Sequence, residues 1–580
     1  MSNSDSQPVG GKRGPRAIAD EYVRALAALD PSAAVRLGMN PDSDALADFS
    51  PDGLSAPADT ARDALARLGA VEAAGPLADD GERRCATLLR ERLDSELALH
   101  EAGEQFRTVR IGNFVFSATA PAGSPLHSLR DILTMMPTDT PDQWQVIGRR
   151  MARIPLALQQ YRSTLAEGIS QGLLSGPRQI VTVLDQIEQW LTGPAPGGWF
   201  GEFVSAAPES QRAELSSHAV AVAAAFSEFH DWLRDTYGPA AASTPNIVGA
   251  ERYRRWARNW TGADLDLDEA YHWAWEQFHD IEAHMRDGAV AVQPGATPLE
   301  AMAWLVKDGT AYDGVDTIRK YLQGLIDNAI TDLQGTYFDL AKPLQHVEAM
   351  IAPAGTLATP YYSPPTLDFS RPGRTYLPTR GRTRFPTWDL VATWYHESVP
   401  GHHMQFGQWT YLAQELSTYQ VTAGMVGANI EGWALYAEHL MNELGYLDDP
   451  GAQMGFLNLQ MQRVQRVIMD IGLHTGMAFP ADSPYAPGRT IDTENAREFY
   501  GRYCGFPADQ LDSEIVRYLG MPGQAICYKL GERVWLRGRE SARQAAEQRG
   551  ETFDLKAWHM TVLSQGSLGL DDLAHELGTL

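Results

Sequence analysis

Apolar residues recur at three- and four-residue intervals almost from one end of the chain to the other, and this pattern limits the fold more than any other feature. In "ADDGERRCATLLRERLDSELALHEAG" (78–103) they fall on one face of a long helix. The same spacing returns in "ADEYVRALAALDPSAAVRLG", where Pro31 opens a second helix, and in 267–289. It also runs through 141–174, with a break at Pro155. The segment "PLQHVEAMIAP" (343–353) reads as one more helix. Runs that alternate apolar and polar residues, as a half-buried strand requires, are scarce. The expectation is a large, mostly helical, all-α chain with little or no β-sheet. The polar, Gly- and Pro-containing residues 1–15 read as a disordered tail. Residues 16–580 read as a single helical domain, with 16–355 as its N-terminal part and 356–580 as the part that carries the site. Pro-rich stretches at 194–198, 359–387 and 480–488 are connectors.

With 580 residues, 44% of them hydrophobic, the chain can bury a large core. Asp and Glu outnumber Lys and Arg by 73 to 48, a net charge of −25. That balance repels a nucleic-acid backbone or an anionic membrane, so neither is expected as a partner. The longest apolar run, 219–226, is too short to span a bilayer. Cys85, Cys504 and Cys527 are widely spaced and form no CxxC pair, which suits a reducing compartment. No apolar segment follows the polar N-terminus, and the expected location is the cytoplasm. A homodimer is compatible with the composition.

The chemistry concentrates in "TWYHESVPGHHMQFGQW" (393–409). A hydrolytic zinc site needs three protein ligands, an open position for water and a carboxylate to take the water proton. In His-Glu-x-x-His the two histidines lie four apart, about 6 Å along a helix, and share one ion. Here His402 and His403 follow His396 by six and seven residues. Seven residues of regular helix rise about 10 Å, too far for one ion. Pro400 and Gly401 offer a way to break the helix and fold out the extra residues. A two-residue bulge makes His402 the closing ligand and a three-residue bulge makes it His403, so His402 is preferred. Downstream, "GANIEGWALYAEHLMNELG" (427–445) places Glu431 among bulky apolar residues, with Glu438 seven positions on along the same face. Glu431 is the candidate third ligand, against the ordinary reading of both glutamates as solvated helix charges.

Other segments could serve such a site. Arg463, Arg466, Asp470 and His474 share a helix face that suits a substrate carboxylate or an ion-pair network. Arg517, Tyr518, Gln524, Tyr528 and Lys529 cluster in 514–535, where Tyr528 or Tyr518 could donate to an oxyanion. The irregular stretch 359–388, with six prolines, runs into the His-Glu segment and is expected to line the site. "HELG" (575–578) lacks a closing histidine, and Glu276/His279 lacks the second Glu-x-x-His pair of a di-iron bundle, so both read as surface helix. No Walker loop, GxSxG or Rossmann glycine pattern occurs.

Four blocks, "HESVPGHHMQ" (396–405), "NIEGWALYAEHL" (429–440), "RVIMDIGLHTG" (466–476) and "MPGQAICYKLG" (521–531), resemble consecutive blocks of the bacterial "domain of unknown function 885" family. So do "YYSPPTLDFSRPGRTYLP" (361–378) and "EGISQGLLSGPRQIV" (167–181). That family is similar in fold to the thermostable Taq-like carboxypeptidases and, through them, to the angiotensin-converting-enzyme group, which are helical with a long central cleft. The resemblance implies one zinc ion on His396, His402 and Glu431, with Glu397 as general base. The expected function is hydrolysis of a peptide or small amide, as a metallocarboxypeptidase or oligopeptidase. Tyr528 would steady the oxyanion; Arg463, His474, Gln524 and Lys529 would bind substrate. The alternatives are a non-catalytic helical binding protein and a metal hydrolase of non-peptide amides.

Overall fold

A computed structural model describes residues 14–36, 39, 43–111, 124–353 and 359–580. The expected tail lies outside the described residues, except that Pro15 already opens the helix Pro15–Leu29. The described residues are 66% helical and 4% strand, which makes the fold all-α in class. No helix among the described residues is long and apolar enough to cross a membrane.

Ten helices position the candidate site and the packing around it: α1 (Asp80–Glu101), α2 (Pro177–Leu191), α3 (Ala250–Thr261), α4 (Leu267–Val292), α5 (Leu390–Glu397), α6 (His402–Tyr411), α7 (Gly427–Glu443), α8 (Pro450–Thr475), α9 (Ala508–Gly520) and α10 (Cys527–Gln548). Pro155 acts as expected, because helices Pro141–Met151 and Ile154–Gln171 meet at it. The expectation of a helix at 343–353 is overturned. A 3-10 turn at Lys342–Gln345 leads into the strand β2 (Val347–Ile351). Pro343 and Pro353 bracket the segment, Val347 and Ile351 are β-branched, and Val347 and Ala349 point inward. The side chain of Gln323 then locks it, with its amide nitrogen donating to the Val347 carbonyl and its oxygen accepting from the Ala349 N–H. Among the described residues five short strands occur. β1 (Ala311–Asp313) pairs antiparallel with β5 (Arg384–Pro386). A second sheet has the order β2-β4-β3, with β4 (Gly373–Leu377) parallel to β2 and antiparallel to β3 (Tyr361–Ser363).

Two large apolar cores form. One joins the helices near the N-terminus, including α1, to most of the chain from α3 to the C-terminus. The other lies within residues 49–241 and includes α2. The main core is built on α7 and α8, helices that are buried nearly all round. α8 starts at Pro450 because the Asp449 carboxylate caps the Gly451 and Ala452 amides. α4 packs along α8, and α10 packs along α7. The α7–α10 contact has no room for side chains. A Cβ on Gly432 would lie 2.4 Å from the Gly531 carbonyl carbon, and one on Gly531 would lie 2.1 Å from the Ala428 carbonyl oxygen. The backbones therefore touch next to Glu431, and the Trp535 indole N–H donates to the Asn429 carbonyl at 3.1 Å. Gly531→Ala should cost at least about 1–3 kcal/mol of stability through overpacking. Chemical denaturation checks this, and a variant of unchanged midpoint would contradict the contact.

Candidate metal centre

The helix carrying His396 and Glu397 stops where the two extra residues begin. α5 ends at Glu397, and Ser398 and Gly401 leave helical backbone angles. The turn is held from within. Ser398 N–H donates to Trp394 O at 2.9 Å, Gly401 N–H to Tyr395 O at 3.0 Å and His403 N–H to Ser398 O at 3.1 Å. Residue 401 has to be glycine here, because a Cβ would lie 1.8 Å from the His396 carbonyl oxygen. From outside, the Trp433 indole N–H donates to the Pro400 and Gly401 carbonyls at 3.0 and 3.2 Å. α6 then starts at His402, whose ring centroid comes to 4.7 Å from that of His396.

α7 supplies the third group. Glu431 Oε2 lies 3.4 Å from His396 Nε2 and 3.8 Å from His402 Nε2. It is buried and has no hydrogen-bond partner. The three ligand atoms all lie within 4.8 Å of one another. Ligands about 2.1 Å from a tetrahedral zinc stand roughly 3.4 Å apart, and the two distances to Glu431 are close to that spacing. Glu397 follows His396 directly and is half-buried. The two-residue bulge is thus the one that forms. His403 is not available as a ligand, because Nε2 donates to the Leu344 carbonyl at 2.9 Å and Nδ1 accepts from the Tyr362 hydroxyl at 2.8 Å. Tyr362 belongs to β3, so the irregular 359–388 stretch does pack against this segment.

Behind His396, Glu438 accepts from Nδ1 at 2.7 Å, which leaves Nε2 free to face Glu431. Arg463 grips Glu438 at 2.9 and 3.3 Å. Glu397 and Glu431 feel the charge of the same guanidinium, so three carboxylates share one arginine, an excess of negative charge that suits a cation. With the protein's own charges, burial and the neighbouring carboxylates outweigh His396 and Arg463 and push Glu397 up to about 8. Burial opposes a charged His396, yet Glu431 and Glu438 raise it to about 9. Burial and the charge of His396 press His402 down to about 3. Burial disfavours the ionised form of Glu431, but His396 and His402 hold its pKa below the usual carboxylate value.

The structure moves three expected substrate-binding residues into other work. Arg463 is buried and committed to Glu438, so it orients a histidine instead of meeting a substrate carboxylate. Lys529 is buried against Glu532 and Gln460. His474 is buried, with Nε2 donating to the Tyr518 carbonyl at 3.0 Å and Nδ1 accepting the Val248 N–H at 3.2 Å. Neither of its nitrogens can reach a ligand. The other two candidates, Tyr528 and Gln524, lie on α10 and just before it. The charge of Glu431 adds to burial in raising Tyr528, and Arg466 covers the Tyr528 ring face at 5.0 Å. Gln524 is buried beside Tyr528. Sequence reasoning left Glu438 as a candidate solvated charge and gave Tyr362 and Trp433 no role. The available signal was the seven-residue spacing of Glu431 and Glu438 within an apolar helix.

Glu438→Gln should lower zinc affinity about 10–100-fold while Glu431 and both histidines remain. Competition with a chromophoric chelator measures this, and unchanged affinity would contradict the orienting role. His396 and Glu397 hold protons more tightly folded than unfolded. Their stabilisation is complete below the unfolded values of 6.5 and 4.5 and is lost as pH rises through about 9 and 8. The Tm of chelator-treated protein should therefore fall from pH 6.5 to 9, and zinc should flatten that fall. A Tm that rises over this range would refute the assignment.

Comparison with known proteins places the chain in a wider group. The family model described as "Bacterial protein of unknown function (DUF885)" matches residues 31–577. No curated protein matches. Solved structures share the fold, two of them as follows. One is a "putative lipoprotein" from Colwellia psychrerythraea, 20% identical, with a TM-score of 0.76 over 98% of this chain and 99% of that one. The other is a "putative lipoprotein of unknown function" from Shewanella oneidensis, 16% identical, with a TM-score of 0.71 over 97% of this chain and 100% of that one.

Proposed function

The chain belongs to the DUF885 family of bacterial proteins, and from that premise we propose that it is a zinc-dependent hydrolase of amide bonds. The observation that carries this reading is the buried trio of His396 Nε2, His402 Nε2 and a Glu431 carboxylate oxygen, within 4.8 Å of one another, with Glu397 as the next residue after His396. The likeness in fold between this family and the Taq-like carboxypeptidases, which the resemblance of the blocks implies, supports a peptide substrate.

His396, His402 and Glu431 would hold the ion, and the ion when bound would supply Lewis acidity and make water acidic near neutral pH. Glu397 is the group to take the proton of the attacking water and return it to the leaving amine. Its half-buried carboxyl, poised at about 8 by burial and neighbouring charge, would be drawn lower by a nearby cation and so be ready to accept a proton. Tyr528 is raised above its ordinary value and stays protonated, so its phenol can donate to the developing oxyanion. Glu438 and Arg463 keep the imidazole of His396 aimed at the centre.

The proposed compartment follows the three buried free thiols of Cys85, Cys504 and Cys527, which suit a reducing cytoplasm. The two structural neighbours point instead to a membrane surface, by their description as lipoproteins. Cell fractionation decides between the two.

Purified protein should carry about one zinc per chain and cleave short peptides. Glu397→Gln should keep the metal and lose about 10²–10⁴-fold in rate. Peptides with free and amidated C-termini separate carboxypeptidase from oligopeptidase. Folded protein that takes up no zinc from metal-replete buffer would favour a non-catalytic binding role, and equal rates on both peptides would exclude a carboxypeptidase. Zinc uptake with cleavage confined to non-peptide amides would select the remaining alternative.

A further inference from the structure

α8 brings two arginines to one face, because three residues of helix rise about 4.5 Å and return to the same side. The first, Arg463, is spent behind His396 in a two-point pair with Glu438, at 2.9 and 3.3 Å. The second, Arg466, stands one turn further on and is held differently. Its Nε donates to Glu514 of α9 at 3.2 Å, and its guanidinium lies over the Tyr528 ring at 5.0 Å. Arg517, one turn after Glu514 on α9, donates to the same carboxylate from Nη2 at 3.3 Å. The Tyr518 hydroxyl joins them at 2.6 Å, and all three donors aim at one oxygen, Oε2.

Each guanidinium therefore makes a single contact, longer than the roughly 2.7–2.9 Å of a charge-assisted pair. Most N–H donors of both forks are left without a protein acceptor among the described residues. The hydrogen-bonded group sums to 2 − 1 = +1. Asp470 also feels the charge of Arg517, but burial pushes its carboxyl up to about 7. Its Oδ2 accepts from the Tyr253 hydroxyl and the Gly523 amide at 2.9 Å each, and it bonds to neither arginine. The Arg466 and Arg517 side chains are 13% and 23% exposed, while Val467, Ile515 and Val516 beside them are buried. Solutes can thus reach both forks, as they can reach half-buried Glu397 and Tyr528. The charge of Glu431 raises Tyr528, and the charges of Arg517 and Arg466 lower it, so the phenol lies within the field of both groups.

We propose that Arg466 and Arg517 form the subsite for a carboxylate of the substrate, with the Tyr528 phenol beside it. The inference rests on the hydrolytic reading and narrows it to substrates that carry such a group. A planar fork matches the paired oxygens of a carboxylate, whether that carboxylate is a peptide C-terminus or an acidic side chain. Arg463 and Lys529, the basic residues expected in this role, are committed to Glu438 and Glu532.

Calorimetric titration of full-length Glu397→Gln protein, with zinc supplied, tests the subsite without turnover. The probes are one acetylated tripeptide of neutral side chains as free acid, its amide, and the amide ending in glutamate. A carboxylate form should bind about tenfold or more tighter than the neutral amide, and the advantage should shrink as salt rises. Preference for the free acid identifies the C-terminus as the source, and preference for the glutamate amide identifies the side chain. Arg466→Met and Arg517→Met should each cut the carboxylate-to-amide ratio about tenfold, with Arg466→Lys restoring part of it. Glu514→Gln removes the competing carboxylate and should raise the ratio, a sign that a merely structural ion pair would not give. Equal affinity for all the peptides would overturn the proposal. So would a ratio unmoved by the arginine variants or lowered by Glu514→Gln. Cleavage by the unsubstituted protein is measured alongside. Cleavage without carboxylate preference overturns the subsite and leaves the hydrolase, whereas carboxylate preference without cleavage overturns the hydrolase and supports the subsite.

Discussion

The arrangement of the site depends on a four-residue turn and the indole that grips it. Between His396 and His402 the chain leaves the helix, folds the extra residues aside and returns. Gly401 allows the close approach to the His396 carbonyl, and Trp433 ties down the carbonyls of Pro400 and Gly401. Trp433 lies on α7, two residues after Glu431. One helix therefore delivers the third candidate ligand and also fixes the backbone that brings the first two together. That coupling makes the three-atom cluster a property of the packed fold and not of any one segment.

Burial decides the electrostatics around this turn. The protein places Glu431 and Glu438 in its interior and Glu397 at its edge, with Arg463 as the compensating cation, and buried charges are stable only when paired. The same rule explains why the other buried cations nearby are engaged. Arg466 lies 3.2 Å from Glu514, and Lys529 meets Glu532. A basic residue on a buried helix face is more often one half of such a pair than a free hand for substrate, and Arg463 and Lys529 both follow that rule.

Much of this was legible in the sequence. Helical periodicity gave the fold class, Pro155 gave a helix boundary, and the ordered blocks from 396 to 531 gave the family. His396, His402 and Glu431 were readable as a set because bulge length favoured His402 and apolar neighbours favoured a buried Glu431. The strand at 347–351 was misread because a five-residue apolar-polar run flanked by prolines carries too little period to separate helix from strand. Its partner β4 lies more than twenty residues away, and Gln323, which holds it, lies on a helix before it. His474 was misread for a similar reason. Its spacing from Asp470 and Arg466 marked a shared face, but only the packed chain shows that the Tyr518 carbonyl and the Val248 amide occupy both its nitrogens.

The sequence by itself determined the helical class, the family and the residue types of the candidate centre, because periodicity, motif order and donor chemistry are local properties. Only the tertiary structure decided which histidine faces Glu431 and which is spent on Tyr362 and Leu344, since that choice rests on contacts between residues 41 and 59 positions apart, which no local rule specifies. It also decided that Glu438 and Arg463 serve His396. A carboxylate and a guanidinium on separate helices become a hydrogen-bonded chain only when packing removes water from between them.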